Sequence, residues 1–264
     1  MAVETCVTAA TATKRQNGSM KPVRYIANHL RTVLKNGASA PHTAEVEHFF
    51  KNEVQSRGWY THELRKLARR FSRTIANDAG IAYLFDVCDD LFRDKVLEEK
   101  VLAVLMLEDK VAELTEAHFR RLVGWLDRVS TWADHDGLVS YLIGPLMVAE
   151  PKRTAHALRW TKAKDTWHRR ASAVSLIRGV RKQMFARETK VVTAALLGDD
   201  DLMVQKGLGW LLREHAKYDR ERALPLLRSI RTKAPRLVLR TACETLPNEL
   251  RAEILSDSKR AAAC

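Results

Sequence analysis

The chain has 264 residues, 46% of them hydrophobic and 29% charged, and reads as a soluble globular protein of one or two domains with room for a sizeable core. Its 45 Lys and Arg against 32 Asp and Glu leave a net charge of +13, a balance that favours a polyanionic partner, of which nucleic acid is the usual one. No apolar run reaches the length of a membrane span. The scattered Cys6, Cys88, Cys243 and Cys264 exclude both a disulfide framework and a cysteine zinc site, so the chain reads as a reduced, intracellular protein, cytoplasmic or nucleoid-associated if bacterial.

Residues 1–20, rich in Ala and Thr, are read as a disordered N-terminal tail, and residues 259–264 as a C-terminal one, with a single domain spanning 21–258 between them. From Pro22 onward the apolar period is helical almost throughout. Val46, Phe49, Phe50 and Val54 form one predicted stripe. Leu64, Leu67, Phe71 and Ile75 form the next, behind a cap at Thr61 with Glu63 in the first turn. Further stripes run through 97–107, 118–126, 155–160, 171–177, 191–197, 204–212 and 223–230. Breaks are predicted at 37–41, Arg57-Gly58, 77–80, Glu150-Pro151, 198–201 and Ala234-Pro235, and Pro145 kinks or ends a helix. Two short helices joined by tight turns make a unit of about 40 residues, the spacing of HEAT or armadillo pairs. The predicted fold is therefore all-α, a curved α-solenoid of HEAT-like antiparallel helix pairs, with a compact helical bundle as the competing architecture.

The stretch Trp132-Ala133-Asp134-His135-Asp136 carries the most chemistry. Asp136 lies four residues after Trp132 and shares its helix face, whereas Asp134 points elsewhere. Asp134 is assigned to capping the helix that starts here, which leaves Asp136 as the acid that works with the ring. A ring beside a carboxylate suits a cationic ligand; the plainer alternative is a cap followed by a surface acid. Further on, Asp165 or Thr166 caps a helix in which Trp167 reads as a core residue and Arg170, on the same face, offers a guanidinium fork for phosphate. In the segment 204–214, Gly207 and Gly209 each cost about 1 kcal/mol inside a helix. They point to close helix packing or close approach of a ligand rather than to a dinucleotide fingerprint, because no strand precedes them. The nine histidines form neither a zinc-protease motif nor a Cys/His cluster; His135 is read as incidental rather than as a metal ligand, and no metal is expected.

Taken in order, Trp132–Asp136, Trp167–Ala171 and Val204–Lys217 resemble the AlkD family of DNA alkylation repair glycosylases, built from HEAT-like repeats, over roughly residues 43–246. The resemblance implies that Asp136 is the catalytic aspartate and Trp132 its aromatic partner. It also implies that Arg170 contacts DNA, that Trp210 is a lesion-side aromatic, and that Arg213 is a DNA-contacting arginine. Two departures stand out: Asp134-His135-Asp136, where the family more often has a single acid among less polar neighbours, and Phe49, where a tyrosine is expected.

The implied function is a monofunctional DNA glycosylase that hydrolyses the N-glycosidic bond of cationic N3- or N7-alkylated purines in duplex DNA. Asp136 would stabilise the oxocarbenium-like sugar and orient water, while Trp132 and Trp210 hold sugar and lesion. Arg170, Arg213, Lys206, Lys217, Arg65, Lys66 and Arg69 are the expected phosphate contacts. The expected partner is duplex DNA carrying alkylated bases, with no cofactor and no membrane, and the chain is read as a monomer. The resemblance also implies that the base need not enter a deep pocket. Two other readings remain at this level: a non-catalytic HEAT-like module that binds branched or distorted DNA, and a protein-interaction scaffold.

Overall fold

A computed structural model describes Thr13 and residues 19–51 and 53–256. The tails expected at 1–20 and 259–264 fall outside the described residues, apart from Thr13, Ser19 and Met20. All regular elements among the described residues are helical, as the apolar period predicts. Extended chain contributes an isolated bridge between Gln55 and Val96. The chain divides into two compact units, Met1–Leu142 and Ile143–Cys264.

The first unit holds α1 (Val23–Asn36), α2 (Ala40–Phe49), α3 (Thr61–Leu91), α4 (Leu97–Glu108), α5 (Glu116–Trp125) and α6 (Trp132–Leu138). Helix α1 buries Ile26, Leu30, Val33 and Leu34, the three-and-four spacing of one face. The N-cap of helix α3 lies one residue before the expected one: Tyr60 takes that place, and the Glu63 carboxylate accepts its N–H at 3.3 Å. Gly80, with φ +81°, splits α3 into two helical runs, so the break expected at 77–80 appears as a kink. The core gathers Phe71, Ile75, Leu84 and Phe85 of α3, Leu102 and Met106 of α4, and Phe119 and Leu122 of α5. Trp125 stacks on Phe92 at 4.3 Å and donates its indole N–H to Asp89 at 2.6 Å.

Of the stripe expected through Val46, Phe49, Phe50 and Val54, Val54 is buried and the other three stay out of this core. Helix α2 buries none of its residues, and Phe49 is 69% exposed. The helix ends there because Phe50 closes it and Lys51 takes a positive φ of 51°, so the period never continues to Val54. At the head of α4 the charged residues Glu98, Glu99 and Lys100 are all buried.

The second unit contains α7 (Gly144–Ala149), α8 (Thr154–Trp160), α9 (Thr166–Val174), α10 (Ile177–Val180), α11 (Ala186–Leu196), α12 (Leu202–Tyr218), α13 (Arg220–Ile230), α14 (Arg236–Ala242) and α15 (Asn248–Leu255). Pro145 opens α7, which follows a wide helical turn at Val139–Ile143. Helix α12 is the axis of this unit and packs against α9, α13 and α14. Asp201 caps it by accepting the Met203 and Val204 N–H groups at 2.7 and 3.2 Å. The expected break at 198–201 is thus the turn that feeds this cap. Gly207 and Gly209 account for the close approach of the flanking helices. A Cβ at Gly207 would lie 3.1 Å from Arg170 Cγ, and one at Gly209 would lie 2.8 Å from Thr241 Cβ. Of the two uses foreseen for this glycine pair, both positions serve helix packing.

Candidate functional site

The buried charges at the head of α4 organise the loops around the first unit's site. Glu98 accepts from Ser56 Oγ at 2.6 Å and from the Arg57 and Gly58 N–H groups at 2.9 and 3.0 Å, closing the turn before α3. Glu99 takes Arg57 at 2.6 Å and Arg31 at 3.0 Å, and burial still raises its carboxyl above the ordinary range. Lys100, 2% exposed, donates to Arg128 O, to Ser130 Oγ at 2.9 Å and to Asp134 Oδ2 at 2.7 Å. An ammonium has three protons, and these three acceptors use them all. One lysine on α4 therefore pins the whole turn that leads into α6.

Asp134 has the structural job assigned to it. It accepts the Ser130 and Thr131 N–H groups at 3.0 and 2.8 Å and the Thr131 hydroxyl at 3.2 Å, in addition to Lys100. Thr131 is the N-cap, and its hydroxyl accepts from Ala133 N at 3.3 Å, completing a reciprocal capping box. At 2% exposure Asp134 has no face turned to a ligand.

Trp132, the first residue of α6, is 39% exposed. Its ring lies 5.3 Å from Phe50 and 6.3 Å edge-on from Phe49, so two phenylalanines of the expected core stripe instead form an aromatic patch beside it. What separates them from a core stripe is local: the helix ends at once, with Phe50 closing it and Lys51 in the left-handed region. Asp136 turns its carboxylate partly outward, with 19% of the side chain exposed. Its Oδ1 lies 2.7 Å from His135 Nδ1, and the His135 side chain is fully buried. His135 is thus a buried structural neighbour of the acid. Its one legible signal was a histidine set between two aspartates.

The expected phosphate contacts divide into two groups. Lys66, Arg69, Lys206 and Lys217 are exposed. Arg65 instead pairs with Glu108 at 2.6 Å and lies 5.3 Å from the Tyr141 ring; burial lowers its pKa, but the Glu108 bond and charge outweigh that and raise it. Arg213 pairs with Glu244 at 2.7 Å and approaches Glu214 at 3.4 Å. Arg170 is 5% exposed and donates to the Met203 carbonyl. Trp210 is half-buried on α12, and Trp167, expected in the core, is also only half-buried on α9.

The family model for DNA alkylation repair enzymes matches residues 30–246, which contain every candidate residue named above. Among solved structures, the chain is similar to one described as a predicted DNA alkylation repair enzyme from Enterococcus faecalis. The TM-score is 0.72 at 13% identity, over 80% of this chain and 97% of that one. At that identity the likeness speaks for the fold. A search of curated proteins gives no significant match. With the matched region running from within α1 to just beyond α14, the chain belongs to the family of DNA alkylation repair enzymes.

Proposed function

We propose that the protein is a monofunctional DNA glycosylase that releases cationic N3- or N7-alkylpurines from duplex DNA. The observation that carries this reading is a partly exposed ring and a partly exposed carboxylate, Trp132 and Asp136, four residues apart on one short helix of a DNA alkylation repair family member. A third polar residue of the same stretch, Asp134, is consumed by the fold, which isolates Asp136 as the acid open to a substrate.

The chemistry asks little of the protein. An alkylated ring nitrogen already makes the base a good leaving group, which departs neutral with the electron pair of the glycosidic bond. Positive charge then develops on the deoxyribose, and an anion held beside it lowers the barrier. Asp136 supplies that anion and orients the water that adds to C1′, whose proton passes to the carboxylate or to solvent. Trp132, with Phe49 and Phe50 beside it, offers π faces to the sugar and the cationic base; each cation–π contact contributes about 0.5–2 kcal/mol. Trp210 is the proposed lesion-side ring of the second unit. Lys66, Arg69, Lys206 and Lys217 are exposed and ready to take phosphates. Arg65 and Arg213 reach DNA by exchanging a carboxylate partner, and Arg170 acts from a buried position.

The test is release of 7-methylguanine or 3-methyladenine from methylated duplex by the purified full chain. Asp136→Asn is expected to lower single-turnover release by about 100-fold or more while duplex binding persists. A wild-type protein that binds duplex and frees no alkylated purine would sink the reading in favour of a non-catalytic DNA-binding role.

A further inference from the structure

We infer that His135 is a positioning residue for Asp136: its Nδ1–H holds the carboxylate in one orientation on the open face of α6. The geometry is unusual for its spacing. Successive residues on a helix point about 100° apart and do not ordinarily face each other, yet His135 Nδ1 and Asp136 Oδ1 are 2.7 Å apart. The two side chains divide the environment between them, the imidazole wholly inside the protein and the carboxylate 19% exposed. An ionised carboxylate offers only acceptors, so the polarity of the bond is set: the proton resides on Nδ1 and is donated to Oδ1.

The consequence is orientational. An aspartate at the surface of a helix samples several rotamers, and only some would aim its charge at a sugar bound over Trp132. A donor rooted in the core removes that freedom before substrate arrives, as catalytic groups require when their placement must hold to a fraction of an ångström. The turn behind it is equally fixed, because Lys100 and Asp134 lock the start of the same helix. His135 thus transmits the rigidity of the core to the acid of α6 that faces partly outward. This role rests on the glycosylase reading; the hydrogen bond itself does not.

Two substitutions separate donation from packing. In His135→Asn the amide nitrogen takes the place of Nδ1 and keeps a donor for Oδ1, whereas His135→Leu keeps bulk and removes the donor. Single-turnover release of 7-methylguanine at saturating protein is expected to fall by about 10- to 100-fold in His135→Leu and to stay within about threefold of wild type in His135→Asn. Duplex affinity should hold within about twofold in both. Equal losses in the two variants, or no loss in His135→Leu, would overturn the inference. A readout independent of catalysis uses wild type and Asp136→Ala labelled with 15N-histidine. The His135 Nδ1–H resonance should appear downfield in wild type and move upfield when the acceptor is removed. An unchanged resonance overturns the bond, even if His135→Leu fails to fold. If wild type releases no base while this resonance behaves as expected, the glycosylase reading falls, the assigned role falls with it, and the dyad stands as a structural pair.

Discussion

Asp134 and Asp136 stand two residues apart on a seven-residue helix, and the protein uses them in opposite ways. Asp134 sits among two backbone donors, a hydroxyl and an ammonium, so its charge is neutralised within the fold. Breaking such a buried pair from one side leaves an uncompensated charge, which costs about 3–5 kcal/mol. Lys100→Met is therefore expected to lower unfolding free energy by about that much in urea titrations. The double variant Lys100→Met, Asp134→Leu should lose less than the sum of the two single losses. Additive losses would show that the pair does not act as a unit. Periodicity alone separated the two acids, but it was silent on Lys100, which lies thirty-four residues earlier and reaches Asp134 only because α4 and α6 pack together.

At the scale of elements, α2 and α12 show where sequence patterns succeed and fail. The stripe through 204–212, its glycine pair and the break before it at 198–201 mark helix α12 in the sequence; the cap at Asp201 comes from the structure. The glycine pair marks tight contacts, and the Thr241 side chain leaves no space for a methyl group at Gly209. Gly209→Ala adds about 1 kcal/mol of helix propensity. Overpacking of about 1–3 kcal/mol should outweigh it. The expected result is a lower melting temperature by calorimetry; an unchanged or higher value would show that α14 moves aside freely. Helix α2 departs from its stripe because the stripe assumes that the helix continues, and a positive φ at Lys51 stops it. Its two phenylalanines then remain at the surface beside Trp132, which is how an apparent core became part of the candidate site.

For the whole molecule, the response to acid follows from buried histidines. His215 on α12 is 2% exposed, and neither ring nitrogen has a hydrogen-bond partner. Burial lowers its pKa, Arg222 lowers it further, and Asp219 opposes them without reversing the direction. His29 and His118 are lowered for the same leading reason. The folded state thus prefers the neutral imidazole, while the unfolded chain binds a proton near pH 6.5. Stability is held above about pH 6.5 and lost as pH falls below it. Melting temperature is expected to drop between about pH 7.5 and pH 5.5, and His215→Leu should flatten that drop in part; an identical slope in the variant would show that His215 is not its source. At lower pH a second loss belongs to Asp89 and Glu214. Burial pushes both carboxyls up, but the bonds from Arg128 and Trp125 to Asp89, and from Arg181 to Glu214, prevail and hold them below the ordinary range.

What the sequence determined by itself was whatever depends on local spacing. The helical period made the fold all-α, the Trp132–Asp136 interval put ring and acid on one face, and the order of three short elements pointed to the DNA alkylation repair family. What only the tertiary structure decided was which polar groups are consumed by folding and which stay open. Glu98, Glu99 and Lys100 are charged residues at a helix start, buried because Ser56, Arg57 and Arg31 close over the acids and Asp134 over the lysine. Arg65 and Arg213 look free until Glu108 and Glu244 arrive from other helices, and His135 looks incidental until its ring turns inward against Asp136. The physical reason is that desolvation and hydrogen bonding are settled by neighbours distant in sequence, or by rotamers that only packing selects, and neither leaves a period to be read along the chain.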